Sequence, residues 1–377
     1  MIIRSLSSSL LLAVMALLGI GLVQVYSSSY IFATESYGDG LYFFKRQLFF
    51  TAISLVALFT MINIPFRLIE KYGWMMWLFS SALVLATFIP GLGVRVGGAL
   101  RWLQLPLGLR FEPSELLKVS LSFFAASLLA KTNPLLKGHR FWALFVLAVA
   151  PLFLLLKQPD FGSFAIICAV SIFMLFAFGL KWRFLVAAVA IAVPTFYFLV
   201  MTVPYRRARV LAFLDPWADP ETKGFQVIQS MLSFHSGGIW GAGLGQGQGK
   251  LFFLPEAHTD FTLAVLGEEM GFVGFCAVML LYAFVVYKAF QISMKTEEPF
   301  KRALALGLGL TFGLSVFINS GVVMGLLPTK GLTLPFLSYG GSSLMVFSFL
   351  FGLLLNIENS ITNEWQDRWR KQITKES

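Results

Sequence analysis

Apolar runs long enough to cross a bilayer recur from one end of this chain to the other, and that limits what it can fold into. They lie near 8–28, 47–64, 72–90, 114–131, 141–156, 163–180, 184–203, 262–290, 303–326 and 342–357. Most approach the ~20 residues a helix needs to span a hydrocarbon core of roughly 30 Å, and 141–156 is short for a full crossing. Of 377 residues, 57% are hydrophobic and 13% charged, too few polar side chains to cover a soluble globule of that size. The expected fold is all-α, a polytopic integral membrane protein of about ten transmembrane helices.

The net charge of +10 does not point to nucleic acid, because the basic residues fall in short segments between apolar runs, as topology signals do. With the N-terminus in the cytoplasm, Lys and Arg favour the inner loops by roughly two to one. Both termini are therefore expected in the cytoplasm, and a large extracytoplasmic loop, 204–261, joins helices seven and eight. Arg4 and the apolar stretch after it lack a small-residue cleavage site, and read as a first membrane helix rather than a removed signal. Residues 1–357 form one transmembrane domain, and 358–377 a charged, solvated cytoplasmic tail. Cys168 and Cys276 both lie inside apolar runs, which argues against a disulfide framework or a zinc site.

This orientation collects the polar and Gly/Pro-rich segments 91–118, 157–162, 204–261 and 328–341 on the outer side. Within "PEAHTDF", 255–261, Thr259 is a candidate N-cap that places Asp260 in the first turn of a helix. A carboxylate there gains from the helix dipole. It either caps its own helix or serves as general base toward a hydroxyl. The spacing of Glu256, His258 and Asp260 does not specify a permanent metal site. A divalent cation (Mg or Mn) held with a substrate diphosphate is the better reading. Glu268 and Glu269 lie two turns deeper, where charge is costly, and are expected in an ion pair within the bundle. Gly267, Gly271 and Gly274 recur at i, i+4, i+7 as a stripe for close helix packing.

In "LRFEPSELLKVS", 109–120, Pro113 opens a helix and Glu115 and Lys118 share a face. They form a local ion pair, or Arg110 and Lys118 together seat a diphosphate. Asp160, in "KQPDFGS", stands at a helix boundary where capping is its simplest role. Lys330 lies in "LPTKGLTLPFLSYGGSS", an irregular stretch that must be buried in protein or line a cavity. The glycine-rich "SGGIWGAGLGQGQGK", 236–250, lacks the strand–turn–helix context of a dinucleotide loop and reads as a flexible outer loop.

"PSELLK", "QPDFG", "DPWADP…KGFQ", "PEAHTDF…GEE" and "PTKGLTLPFLSYGG" occur in the order characteristic of the SEDS family (shape, elongation, division, sporulation), the FtsW, RodA and SpoVE proteins. The resemblance covers nearly the whole chain, and "PEAHTDF" and "DPWADP" are closer to the division branch. It implies an inverting peptidoglycan glycosyltransferase that polymerises lipid II at the outer face of the cytoplasmic (inner) membrane, at the division septum. The family's catalytic aspartate falls on Asp260. Its helix-four cluster falls on Arg110, Glu115 and Lys118, and its loop lysine on Lys330. Glu256, His258, Asp160 and Glu268 are expected to support the site. Glu112, where glutamine is usual, and His235, where a small residue is usual, depart from the pattern. The implied substrates are lipid II and glycan on undecaprenyl diphosphate. The implied partners are a class B penicillin-binding protein for cross-linking, other divisome proteins and membrane lipids, and no nucleic acid. Two other classes remain open: a lipid II flippase, which predicts broken polar helices near the midplane, and a non-catalytic scaffold of the wall machinery.

Overall fold

The computed structural model describes residues 8–96, 99–130, 139–202, 204–222, 224–251, 254–329 and 331–376. Each apolar run lies in a helix. In chain order these are α1 (Ser9–Tyr37), α2 (Tyr42–Asn63), α3 (Phe66–Ala86), α4 (Pro113–Ala130), α5 (His139–Lys157), α6 (Phe161–Ala177) and α7 (Trp182–Met201). Two further helices, α8 (Pro204–Leu214) and α9 (Phe225–Gly237), lie within the long loop, followed by α10 (Thr262–Lys295), α11 (Pro299–Val323) and α12 (Gly341–Glu376). Among the described residues six helices are long and apolar enough to cross a membrane: α1, α2, α4, α10, α11 and α12 as far as Asn363. The chain is a polytopic, helical membrane protein.

α4 and α11 are the centre of the bundle. They pack on each other and on α6, with α3 against α4, α10 against α11, and α2 against α12. Lipid tails are as apolar as leucine, so close contact between small residues drives this association. A Cβ on Gly307 of α11 would stand 2.7 Å from Ser122 Oγ of α4. The hydroxyls of Ser80 and Ser120 meet at 2.6 Å between α3 and α4. At the short-loop end, Asn356 Nδ2 donates to the main-chain oxygens of Met61 and Ile64, each at 2.8 Å, locking α12 to the end of α2. The Ser8 hydroxyl donates to Glu358 at 2.7 Å, and α12 runs unbroken past 357.

Three features depart from the sequence expectation. In a fold expected to be all-α, the segment between α3 and α4 holds a three-stranded antiparallel sheet, β1 (Gly93–Val96), β2 (Ala99–Gln104) and β3 (Arg110–Phe111), in that order. Leu103 of β2 pairs with Gly93 on one side and Phe111 on the other. The glycine stripe of α10 is not a smooth packing face, since the helix is interrupted at Gly271 (φ 65°, ψ −168°). Third, the 236–250 stretch is not a free loop, because it plugs this break. The Glu268 and Glu269 carbonyls accept from Ala242 and Gly243 (2.9 and 3.0 Å), and Phe272 and Val273 donate to Gly238 and Ile239 (2.9 and 3.1 Å). Broken backbone inside a membrane is tolerated where protein re-satisfies it. A Cβ on Gly271 would lie 2.3 Å from Gly241 N, so the contact requires glycine on both counts.

Candidate functional site

Four segments distant in sequence meet at the loop-rich end: 110–118, 158–163, 254–261 and 331–342. The first leads from β3 into α4. Arg110 is exposed on β3 at the sheet edge, paired in register with Gln104. One turn into α4, Lys118 Nζ lies 2.8 Å from Glu115 Oε1, and both side chains are buried. The i,i+3 spacing thus produces the local ion pair, and the Lys118 ammonium faces Glu115 rather than open solvent. Glu115 Oε2 is buried and has no hydrogen-bond partner among the described residues.

The second segment is fixed from the sheet. Arg101 of β2 donates to the main-chain oxygens of Gln158 (3.2 Å) and Pro159. This presents Asp160 at the start of α6, where Oδ1 accepts from Ser163 N at 3.2 Å, as an N-cap does. Asp160 Oδ2, also buried, has no hydrogen-bond partner among the described residues. Between these elements Glu112 N donates to Ser342 Oγ at 3.0 Å. Burial, then the charges of Glu115 and Asp160, push the Glu112 carboxyl up to about 8, against the opposing pull of Lys118 and Arg101.

The third segment carries Asp260. It lies in a turn rather than in a first helical turn, because α10 begins at Thr262. Thr259 does not cap that helix. Its hydroxyl donates to Glu256 Oε2 at 2.7 Å, and the Glu256 carbonyl accepts from Thr259 N and Phe261 N at 3.1 and 3.2 Å. Glu256 itself takes a left-handed conformation (φ 56°), uncommon without glycine, which folds the turn back on itself. The His258 ring lies between aromatics, stacked on Phe32 with centroids 5.4 Å apart and 4.6 Å from that of Phe43. Burial holds its pKa below the ordinary imidazole value, partly offset by Glu256. The His258 main-chain oxygen accepts from Tyr339 N at 2.9 Å, tying this turn to the fourth segment.

That fourth segment presses on the carboxylate. A Cβ on Gly331 would stand 3.1 Å from Asp260 Oδ2. Leu332 bridges to the second segment, because a Cβ on Gly162 would stand 2.8 Å from its side chain. Asn319 of α11, buried, donates from Nδ2 to the main-chain oxygens of Asp260 (3.0 Å) and Leu332. Lys330 lies outside the described residues.

Glu268 and Glu269 are structural in geometry, but only one forms the expected ion pair. Glu269 Oε1 is 2.6 Å from Lys250 Nζ and also accepts from the Ser27 hydroxyl at 2.6 Å. Glu268 accepts instead from the backbone of the plug, Gln248 N at 2.7 Å and Gly249 N at 3.0 Å. Among the described residues no cluster of three or more His, Cys, Asp or Glu is placed to hold a metal.

The FtsW/RodA/SpoVE family model, described as "Cell cycle protein", matches residues 8–363. The chain belongs to this family. It is 45% identical over 350 residues to the "Probable peptidoglycan glycosyltransferase FtsW" of Geobacter metallireducens, covering 92% of this chain and 93% of that one. The relative of the same name from Halorhodospira halophila is 42% identical over 358 residues, covering 93% and 90%. Among solved structures it resembles a chain from a peptidoglycan synthase complex that coordinates polymerization and crosslinking, at 29% identity and TM-score 0.76, covering 93% and 97%. The rod shape determining protein RodA of Thermus thermophilus superposes with TM-score 0.68 at 25% identity, covering 93% and 95%. Within the family the chain is closest in kind to the FtsW branch.

Several residues of the site escape a reading of the sequence. Arg101 counts there only as a loop cation, and Lys250 only as the end of a glycine-rich run. Asn319 had a usable signal, a carboxamide inside the apolar run "LSVFINSGVV", since a polar side chain in a span needs a partner.

Proposed function

We propose that this chain is a peptidoglycan glycosyltransferase that polymerises lipid II at the outer face of the cytoplasmic membrane, with Asp260 as its general base. The ten apolar runs cross the membrane, both termini are cytoplasmic, and the loop-rich end with the 204–261 loop is extracytoplasmic. Residues 1–357 act as one catalytic domain, and the setting is septal wall synthesis in cell division. The observation that carries the reading is the placement of Asp260. Its carboxylate sits on a turn held from two sides, at the meeting point of four loop segments, rather than capping a helix.

In the reaction Asp260 removes the proton from the sugar 4-hydroxyl of the acceptor lipid II as that oxygen bonds to the donor's anomeric carbon. The bond from that carbon to the undecaprenyl diphosphate breaks, and the diphosphate leaves with the electron pair, so configuration inverts. Diphosphate needs no protonating acid, and one carboxylate suffices, unlike the pair of a glycosidase. Exposed Arg110 and the loop lysine Lys330 contact the diphosphate. Lys118 adds positive potential from beneath, its charge shared with Glu115. Glu256 and His258 shape the turn, Asp160 the opening of α6, and Glu268 the seat of the plug. Cross-linking belongs to a partner, a class B penicillin-binding protein, within the divisome.

The test is polymerisation of purified lipid II by the reconstituted protein with its transpeptidase partner. Wild type makes polymer and Asp260→Asn makes none. Undiminished polymer from Asp260→Asn discards the base, and translocation of lipid II without polymerisation restores the flippase reading.

A further inference from the structure

We infer that Asn319 is the positioning residue for Asp260, an inference that rests on the reading of Asp260 as the base. One buried carboxamide nitrogen has two hydrogens, and each meets a main-chain oxygen from a different loop: Asp260 on the turn before α10 and Leu332 on the segment before α12. Both oxygens lie where the chain is irregular, so no helix ladder fixes their positions. Asn319 stands on α11, in the centre of the bundle, and hence refers both loops to a helix packed on α4, α6 and α10. The amide orientation is set by its acceptors, since the reverse flip would turn the amide oxygen toward two carbonyl oxygens. That orientation leaves Asn319 Oδ1 buried with no hydrogen-bond partner among the described residues.

The two grips on Asp260 are complementary. Asn319 holds its main chain, while Gly331, one residue from the other acceptor, lies against its carboxylate oxygen and has no side chain to displace it. Asn319 therefore fixes the distance between the base-bearing turn and the wall it faces. Loss of the brace lets the turn drift relative to Leu332 without removing any group that touches substrate.

The molecule contains its own control. Asn356 makes the same pair of bonds from one Nδ2 to two main-chain oxygens, at the opposite end of the bundle. Steady-state polymerisation of lipid II is measured with the transpeptidase partner for wild type, Asn319→Ala, Asn356→Ala and Asp260→Asn, with thermal unfolding in the same detergent. A misplacement near 1 Å costs about 100-fold in rate, so Asn319→Ala is expected to lower kcat about 10- to 100-fold with KM for lipid II within about twofold. Asn356→Ala is expected to lower the melting temperature at least as much and to keep kcat. Equal kcat in the two alanine variants, with Asp260→Asn inactive, overturns the positioning role and leaves the base standing. An active Asp260→Asn removes the base itself. Where Asn319→Ala does not yield folded protein, Asn319→Leu, close in shape and lacking both donors, is read by the same criterion.

Discussion

Two groups of carboxylates at the loop-rich end meet the same problem, charge removed from water, with opposite outcomes. On α10 the acids are saturated. Glu268 takes two main-chain N–H groups, and Glu269 takes a lysine and a hydroxyl. Between the sheet and α6 they are not. Among the described residues Glu115 and Asp160 each leave one buried oxygen without a hydrogen bond, and Glu112 is pushed toward its neutral form. A fully partnered buried carboxylate is a fastener, here closing the break at Gly271. A buried carboxylate oxygen left without a partner costs about 1–3 kcal/mol. Position in the sequence does not separate these cases, whereas the count of partners does.

The sharpest way to break the comparison is to exchange the roles. Asp260→Asn should abolish polymer formation, a loss of about 10²–10⁴-fold for a missing general base, with thermal unfolding nearly unchanged. Lys250→Met should do the reverse. Removing one partner of a buried ion pair costs about 3–5 kcal/mol, read as a large drop in melting temperature, while the protein that remains folded keeps its turnover. The double variant Lys250→Met/Glu269→Gln, which removes both charges, should recover most of that stability. Loss of turnover at unchanged stability in Lys250→Met would place the α10 acids in the chemistry and end the distinction.

Much of the fold was legible because its signals are local. Ten apolar runs became helices, and Pro113 with Glu115 and Lys118 marked both a helix start and an ion pair three residues apart. What was not legible depends on partners far along the chain. Gly267, Gly271 and Gly274 fit a packing stripe as well as a break, and only the insertion of 238–243 decides between them. Thr259 looked like an N-cap, but its hydroxyl donates to the Glu256 carboxylate and the helix opens three residues later. Asn319 was visible as a polar residue in a span, yet its acceptors are main-chain oxygens, which no sequence pattern displays.

A smaller perturbation sharpens the account of Asp260 without touching its chemistry. Gly331→Ala places a methyl carbon 3.1 Å from Asp260 Oδ2, tighter than ordinary contact. The carboxylate must give way by a few tenths of an ångström, and kcat should fall about tenfold, short of the full effect of a 1 Å displacement. With Asn319→Ala the loss should be less than multiplicative, because both changes act on one group. Full multiplicativity would mean that the two residues hold Asp260 independently.

The last test probes the carboxylates between the sheet and α6 through pH. Burial and the charges of Glu115 and Asp160 push the Glu112 carboxyl from its ordinary value of 4.5 up to about 8 in the fold. Between those values the folded protein holds a proton that the unfolded chain has released. Its contribution to stability is therefore complete below about pH 4.5 and is lost as pH rises through about 8. Glu112→Gln removes the titration and keeps the shape. Its melting temperature should match wild type near pH 5 and exceed it at pH 8, by about 2–4 °C for each kcal/mol recovered. A constant offset at both pH values would mean that Glu112 ionises normally, and that Lys118 and Arg101 already balance the acids around them.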